Sequence, residues 1–329
     1  VHVSVIATVL NEASSIEALF QSLVGQTRLP DEIVIVDGGS KDGTLERLQA
    51  FAQRSPVPLR VLSRPGANIS AGRNAAIAAA QGEIIASTDA GVRLEHTWLE
   101  QLLAPFEGPD PPDAVSGFFM PEPHSLFERV LGATTLPALS EIKAERFYPS
   151  SRSVAFRRAA WEAVGGYPEW LDYCEDLVFD FALRDAKFRF AFAPGAVAHF
   201  RPRSSLKAFL KQYYRYARGD GKADLWRYRH LVRYGTYLFL GPGVVLLAVF
   251  HHPAWWVAWA LGLAAMMRTP WRRLRPWLKG LSFGERLVAC LWMPIIRIAG
   301  DLAKMVGYPA GIWWRWRYGP RVSWPKRQW

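Results

Sequence analysis

The chain has 329 residues, of which half are hydrophobic, and it carries a formal net charge of +11. Residues 1–200 contain 17 basic and 25 acidic residues, whereas residues 201–329 contain 23 basic and 4 acidic residues together with 12 of the 15 tryptophans. Such a basic, tryptophan-rich segment is typical of proteins that bind nucleic acid or an anionic membrane, but its long apolar runs argue against nucleic acid and favour the membrane.

The cysteine content and the first residues indicate a cytosolic setting for the acidic front. Cys174 and Cys290 have neither a metal-binding nor a redox spacing, which suggests a reducing compartment. Residues 1–10 have the pattern of a β-strand that runs into a polar turn, not that of a signal peptide. We therefore expect the front of the chain to stay in the cytosol.

Residues 1–90 alternate between β-branched runs and segments with helical periodicity. Ser14 and Glu17 form the pattern of a capping box before the first helix, and Ser70 is the expected N-cap of the third. This order predicts βαβ units and therefore an α/β fold, with a mostly parallel sheet flanked by helices. The predicted strands are Val3–Val9, Glu32–Val36, Leu59–Leu62 and Glu83–Thr88.

Polar residues lie at the carboxyl ends of three of these strands: Thr8 and Asn11 after the first, Asp37 after the second and Asp89 after the fourth. Ligands of such sheets bind beyond the carboxyl ends of the strands. Each residue alone is also explained as a turn-capping residue. Their convergence on one edge favours a binding crevice.

The chain has no GxGxxG after the first strand and no P-loop motif. This argues against a Rossmann dinucleotide site and against a P-loop nucleotide-binding site. A sugar nucleotidyltransferase is disfavoured too, because TVLNE (8–12) replaces the expected glycine-rich loop. Ligand phosphates must then be neutralised in another way. A divalent cation, Mg²⁺ or Mn²⁺, bound by Asp89 is the candidate, because these ions commonly bridge carboxylates and substrate phosphates.

Five segments, in their order and spacing, resemble the family 2 glycosyltransferases, which have the GT-A fold. The resemblance spans roughly the first 220 residues and implies inverting transfer of a sugar from a nucleotide-sugar donor. The segments are TVLNE (8–12), IVDGGSKDGT (35–44), SAGRNAAIAAAQGEIIASTDAG (70–91), GGYPEWLDYCEDLVFDFAL (165–183) and QYYRYARG (212–219).

The resemblance implies donor-binding roles near the first strands. Arg73 would lie near the nucleotide phosphates, and Asp89 matches the first acidic residue of the family's DxD metal motif. Gly91 stands at the third position, which leaves one motif carboxylate for the metal. His199 is a candidate second ligand, although a structural role explains it as well. The residues matched to the donor nucleotide are Thr8, Asn11, Glu12 and Asp37.

Glu175 and Asp176 resemble the acidic pair from which the family's catalytic base comes. Inverting displacement needs a carboxylate that takes the proton of the acceptor hydroxyl. We expect Asp176 to be this base and Glu175 to orient the acceptor or support the site. Alternatively, both residues only stabilise the N-terminus of the following helix.

Gln212, Arg215 and Tyr216 resemble the QxxRW element that helps to cover the diphosphate, with tyrosine in place of tryptophan. The tyrosine argues against a processive polymer synthase. The same helix has a basic face that could instead lie on lipid headgroups, formed by Lys207, Lys211, Arg215 and Arg218.

The tail predicts membrane association, so that residues 1–230 form the enzyme domain and residues 231–329 the membrane-associated helices. Residues 234–267 are nearly free of charge and predict a helical hairpin. A basic loop at 268–280 follows, which the positive-inside rule places in the cytosol with the enzyme domain. Prolines and charges interrupt residues 283–314, which predicts interfacial or re-entrant helices. A buried helical subdomain of a soluble protein is the alternative.

We therefore expect a glycosyltransferase that moves a sugar from a nucleoside diphosphate sugar, with UDP favoured, to a membrane lipid or lipid-linked saccharide at the cytoplasmic face. Polyprenyl phosphate is an alternative acceptor. From another class, a catalytically weak nucleotide-sugar-binding scaffold is compatible with Gly91. Retention of Asp37, Asp89, Asp176 and Arg215 argues against it.

Overall fold

The computed structural model describes residues 1–319, which divide into two compact units. The first unit comprises Val1–Glu122 and Leu139–Arg201, and the second comprises Pro123–Ala138 and the chain from Pro202 onward. This division precedes the expected boundary at residues 230 and 231. The segment with the Gln212 element therefore belongs with the tail helices, and an inserted helix from residues 123–138 joins them.

The first unit contains one mixed sheet with helices along the chain between its strands. Its strands are β1 (Val3–Val9), β2 (Glu32–Asp37), β3 (Leu59–Ser63), β4 (Ile84–Asp89), β5 (Val92–Leu94), β6 (Ala114–Pro121), β7 (Val154–Arg157) and β8 (Phe190–Phe200). The chain's first seven helices are α1 (Ile16–Val24), α2 (Thr44–Arg54), α3 (Ile69–Ala79), α4 (Trp98–Leu103), α5 (Leu126–Thr135), α6 (Arg158–Val164) and α7 (Glu175–Asp185), of which α5 belongs to the second unit.

The strand order is β3-β2-β1-β4-β7-β6-β8-β5. The first four strands in this order are mutually parallel, and β7 is antiparallel to both β4 and β6. The carboxyl ends of β1, β2 and β4 therefore meet at one edge. The predicted α/β fold with a mostly parallel amino-terminal sheet is confirmed.

The sheet is covered on both faces around β1, β2 and β4, which explains why these strands are nearly continuous buried runs. All six residues of β2 are buried. Successive side chains of β1 point to opposite faces, so Val5 packs in one apolar cluster and Ile6 in the other. This packing anchors the strand ends that carry the polar residues.

Two predicted helix starts are wrong. The N-cap of α1 is Ser15 and makes no side-chain cap bond, because its hydroxyl bonds to Glu12 instead, so the expected Ser14 capping box does not form. The N-cap of α3 is Asn68, whose side chain accepts from the Ala71 amide at 2.9 Å. The hydroxyl of Ser70, the expected cap, donates instead to the Leu171 carbonyl at 3.1 Å.

The second unit is helical in all its larger elements. They are α8 (Leu206–Lys222), α9 (Arg227–Tyr234), a π-helical segment (Gly235–Leu240), α10 (Gly241–Phe250), α11 (Trp255–Leu274) and α12 (Phe283–Tyr318). The elements α9, the π-helical segment and α10 follow one another directly and together form the helix Arg227–Phe250. Within residues 1–319, it is the one helix long and apolar enough to cross a membrane. It is followed by a short turn and α11, as expected for a hairpin.

Two expectations for the tail are corrected by the structure. The segment predicted as a basic loop is helical as far as Leu274 and continues as a 3₁₀ turn. The segment predicted as several pieces is one helix of 36 residues, with Pro294 and Pro309 inside it. Its Ser282–Glu285 capping box sets the start.

Glycines let α8 and α12 pack with their backbones in contact. A methyl group on Gly307 would overlap the backbone of Tyr214, and one on Gly311 would overlap the carbonyl of Arg218. Small residues four apart allow such close approach between helices. The helix that carries the Gln212 element is therefore held tightly to α12.

Candidate active site

The sheet register brings the polar strand ends into neighbouring positions. Thr8 of β1 is paired with Asp89 of β4, and Val9 is paired with Asp37 of β2. Adjacent strands lie about 4.8 Å apart, so these residues line one short edge of the sheet. The methyl group of Thr8 packs against Gly72 of α3, where an added Cβ would collide with it.

Asn11 and Glu12 connect the first strand to the loop after β2. The amide of Asn11 donates to the Ser40 hydroxyl at 2.8 Å, and its side-chain oxygen accepts from the Lys41 amide at 2.9 Å. Asn11 has a φ of +56°, a conformation that asparagine tolerates well. The Glu12 amide donates to the Thr44 hydroxyl at 2.9 Å. Both residues shape this edge, and their donor contacts remain predictions.

Asp37 is fully buried and organises its own turn. Its Oδ2 accepts from the amides of Gly39 at 2.9 Å and Ser40 at 3.0 Å, and Gly39 has the positive φ of +97° that glycine permits. A carboxylate has about four acceptor positions. Asp37 is fully buried, so its acceptance from a nucleobase requires the turn to open and stays a prediction.

Arg73 links the sheet edge to α7. Its guanidinium donates to Asp89 Oδ1 at 2.8 Å and to Glu175 Oε1 at 2.6 Å, and its side chain is 2% exposed. Burial disfavours its charged form, but Asp89 and Glu175 more than offset this and raise the pKa of Arg73 above its usual value. Arg73 thus links two carboxylates, and its expected position near the nucleotide phosphates stays a prediction.

The acidic pair at the start of α7 has two different environments. Glu175 is buried, and this burial together with the charge of Asp176 raises its pKa to about 6, against the opposing effect of Arg73. Asp176 is partly exposed, and its Oδ1 accepts from the Leu177 amide at 2.8 Å. Burial and the charge of Asp176 also raise the pKa of Asp180, one turn further along the helix.

The raised pKa of Glu175 predicts a pH-dependent stability. The folded state binds this proton more tightly than the unfolded chain, where the pKa has its ordinary value of 4.5. The contribution of Glu175 to the free energy of unfolding is therefore complete below pH 4.5. It is lost as the pH rises through 6, a decrease of about 2 kcal/mol at most.

The measurement is the Tm of the wild type and of Glu175→Gln across this pH range. The Tm of the wild type should fall relative to that of the variant as the pH rises from about 4.5 to about 7. Parallel curves would contradict a raised pKa.

Arg152 is a site residue that sequence reasoning missed. Its Nε lies 3.4 Å from Asp89 Oδ2, and its side chain is 24% exposed. It precedes β7 in the run SSRS (150–153), and an arginine within a serine-rich turn before a buried strand is the only signal the sequence offers. Both oxygens of Asp89 thus face a guanidinium group.

The ligands predicted for a divalent cation assemble only in part. Gly91 has no side chain, but a Cβ added to it would lie 3.9 Å from Oε2 of Glu12, so a second carboxylate lies beside this turn. Nε2 of His199 lies 2.5 Å from Oε1 of Glu95. Within residues 1–319, no group of three or more His, Cys, Asp or Glu is placed to hold a metal ion. Both oxygens of Asp89 face guanidinium groups, so binding of a cation at Asp89 together with ligand phosphates requires these contacts to rearrange and stays a proposal.

The Gln212 element lies in the second unit. The side-chain amide of Gln212 donates to the Tyr216 hydroxyl at 2.8 Å, and the Tyr216 ring lies 5.9 Å from that of Tyr213. The lysines of the predicted basic face, Lys207 and Lys211, are exposed. Roles of this helix in diphosphate binding or on headgroups remain predictions.

Two family models match the chain. The model described as Glycosyl transferase family 2 matches residues 4–160, and the model described as Glycosyl transferase family group 2 matches residues 142–300.

The curated relatives of the chain include a bacterial polysaccharide biosynthesis protein and a galactosyltransferase. The succinoglycan biosynthesis protein ExoA of Rhizobium meliloti is 28% identical over 95% of this chain and 87% of that protein. The cholesterol galactosyltransferase of Borreliella burgdorferi is 34% identical over 100 residues, and this match spans only 28% of that protein and 30% of this chain.

A solved structure of similar fold is the mannosyltransferase PcManGT of Pyrobaculum calidifontis, in complex with GDP-Man and Mn²⁺. The two chains superpose with a TM-score of 0.55 at 19% identity, covering 92% of this chain and 87% of that one. The GT-A fold expected from the sequence is confirmed.

Proposed function

Because the chain belongs to the family 2 glycosyltransferases, we propose that it transfers a sugar, with inversion, from a nucleoside diphosphate sugar to a lipid or lipid-linked saccharide at the cytoplasmic face of a membrane. The two family models together match residues 4–300, and glycosyltransferase activity follows from this membership. UDP is the proposed nucleotide.

The cluster around Arg73 supports this proposal most directly. Arg73 joins Asp89, at the end of a parallel strand, to Glu175, at the start of α7. Asp176 follows Glu175 directly and is partly exposed. One carboxylate for the donor side and one for the acceptor side are thus available in a single cluster.

We assign the general base to Asp176. Inverting displacement at the anomeric carbon requires the acceptor hydroxyl to lose its proton as it attacks. Asp176 is partly exposed, whereas Glu175 is buried and bonded to Arg73. Glu175 therefore positions Arg73, and through it Asp89.

Asp89 is the proposed protein ligand of Mg²⁺ or Mn²⁺, with His199 as the second ligand predicted from the sequence. When bound, the cation supplies neutralisation of the negative charge that grows on the leaving nucleoside diphosphate. Asp37 would accept from the nucleobase, and Thr8, Asn11 and Glu12 line the same edge of the sheet. Gln212, Arg215 and Tyr216 are proposed to cover the diphosphate.

The second unit supports membrane attachment. The helix Arg227–Phe250 is apolar enough to cross a bilayer, with 6% of its most apolar stretch buried. Phe239 is 73% exposed and Phe250 is 81% exposed, and large exposed apolar surfaces mark membrane or protein contacts. An acceptor that resides in the bilayer explains why such a tail accompanies the catalytic unit. One relative is named for its action on cholesterol and another for succinoglycan biosynthesis.

A donor panel tests the proposal. Detergent-purified protein is incubated with UDP-, GDP- and dTDP-sugars and a lipid extract, with Mg²⁺, with Mn²⁺ or with EDTA. We expect metal-dependent release of one nucleoside diphosphate together with a glycosylated lipid. Because Asp89 holds the cation only with ligand phosphates, Mn²⁺ alone should bind weakly, and addition of that diphosphate should tighten its binding.

Three other outcomes would contradict the proposed acceptor or the proposed catalytic activity. Turnover of a donor without any lipid product would contradict the lipid acceptor. Binding of a donor without turnover would favour the catalytically weak scaffold. Transfer to polyprenyl phosphate, but to no hydroxyl acceptor, would favour the phosphate variant of the reaction.

A further inference from the structure

Asp89 is contacted by two guanidinium groups of different character. Arg73 is 2% exposed and lies 2.8 Å from Oδ1, and its other end is bonded to Glu175. Arg152 is 24% exposed and approaches Oδ2 at the longer distance of 3.4 Å. The first contact is a buried, charge-assisted bond, whereas the second is a looser contact with access to solvent.

The backbone of Arg152 is firmly anchored. Its carbonyl accepts from the Thr88 hydroxyl at 3.0 Å, which ties it to the end of β4. The next hydroxyl along the chain, that of Ser153, donates to the Ala196 carbonyl at 2.8 Å and accepts from the Trp98 indole at 2.8 Å. The side chain of Arg152 therefore starts from a fixed point beside Asp89.

Aromatic rings direct the head group of Arg152. Its guanidinium carbon lies 4.6 Å from the ring centroid of Phe200 and 6.0 Å from that of Phe119. Stacking of a guanidinium on such faces is favourable and leaves its edge available for bidentate bonds to oxygen. The two rings thus lie beside the guanidinium, whose Nη1 also donates to the Ser150 hydroxyl at 3.5 Å.

The carboxylates of this cluster outnumber its guanidinium groups. Asp89, Glu175 and Asp176 contribute three carboxylates, against the two guanidinium groups of Arg73 and Arg152. A nucleoside diphosphate adds more negative charge at the same edge. Arg73 is 2% exposed, whereas Arg152 is 24% exposed, so Arg152 is the guanidinium of this pair that an incoming phosphate can reach.

We propose that Arg152 binds the diphosphate of the donor, and that Asp89 holds its guanidinium in position before the donor arrives. Guanidinium groups pair with phosphate in a bidentate geometry that is stronger than a single long contact. This inference rests on the proposed function and adds to it a residue that recognises the leaving group.

The test compares binding of a nucleoside diphosphate with binding of its nucleoside. Calorimetry with Mn²⁺ present measures UDP and uridine, GDP and guanosine, and dTDP and thymidine against the wild type, and the tightest pair is used. In Arg152→Gln, the affinity for the diphosphate should fall by about tenfold or more, because a charge-assisted bond is lost. The affinity for the nucleoside should stay unchanged.

Two further variants make the comparison specific. Arg152→Lys keeps the positive charge but not the planar, bidentate guanidinium. Its loss of affinity for the diphosphate should therefore be intermediate. Arg189→Gln is the matched control, since Arg189 is an exposed arginine paired with Asp110, and it should bind both ligands as the wild type does.

The possible results separate the inference from the proposed function. Wild-type affinity of Arg152→Gln for the diphosphate would overturn the inference, and so would an equal loss for diphosphate and nucleoside, which would indicate a structural role. If the folded wild type bound none of the nucleoside diphosphates, the proposed function itself would fail.

Discussion

Replacing Asp176 with asparagine is expected to nearly abolish sugar transfer to a hydroxyl acceptor while leaving donor binding intact. General base catalysis contributes about 10²- to 10⁴-fold to such rates, and asparagine has nearly the same shape but cannot accept the proton. Asp176 is the partly exposed member of the acidic pair, so its replacement should not disturb the buried bond between Arg73 and Glu175. The measurement is the initial rate of product formation with the donor identified by the panel.

Two controls make this result interpretable. Asp185→Asn changes an acidic residue at the other end of α7, where Asp185 is 36% exposed and pairs with Arg184, and it should leave the rate unchanged. Calorimetric donor binding should be the same in wild type and Asp176→Asn. Substantial activity with a polyprenyl phosphate acceptor would indicate that the nucleophile is already an anion. Substantial activity with a hydroxyl acceptor would contradict the assignment of the base.

Replacing Arg73 with methionine should cause the largest loss of stability at the site. The variant keeps an unbranched side chain, shorter than that of arginine, but leaves Asp89 and Glu175 without their shared cation. Removing one partner of a buried ion pair costs about 3–5 kcal/mol, which corresponds to a decrease in Tm of roughly 10 °C for a domain of this size. Scanning calorimetry in detergent measures the change, and a decrease below about 3 °C would contradict the buried cluster.

A double variant shows whether the loss comes from the uncompensated charge. The double variant Arg73→Met, Glu175→Gln has a neutral amide in place of the buried carboxylate at position 175. Part of the stability that Arg73→Met loses should therefore return. The two changes should therefore be non-additive, as expected for residues in direct contact. Additive losses would mean that Arg73 stabilises the protein through other contacts, such as its position over the Tyr167 ring at 5.4 Å.

The predicted elements are largely correct where the apolar run is long and continuous. The four amino-terminal strands were expected within a residue or two of their observed bounds, because runs such as Val3–Val9 are buried on both faces. The helix starts at Ser14 and Ser70 were misassigned, since a serine pattern does not reveal whether the hydroxyl finds a better partner. In the fold, these roles pass to Ser15 and Asn68.

In the tail, too, a local sequence pattern predicted the helix bounds wrongly. Pro294 and Pro309 suggested interruptions, yet α12 runs through both. A proline removes one intrahelical bond, and tight packing of a helix can outweigh that local cost. Gly307 and Gly311 allow such packing against α8, a contact that a pattern within one segment does not contain.

Sequence was sufficient for the α/β class and for the edge of the sheet where Asp37 and Asp89 meet, because strand periodicity and strand ends are local properties. The acidic pair on α7 is predicted only by its resemblance to a family motif. The partners of these residues depend on contacts between distant parts of the chain. Arg73 and Glu175 are 102 positions apart, and Arg152 reaches Asp89 from the turn before another strand. Only the folded chain brings these charges together, and their mutual burial decides which carboxylate stays accessible.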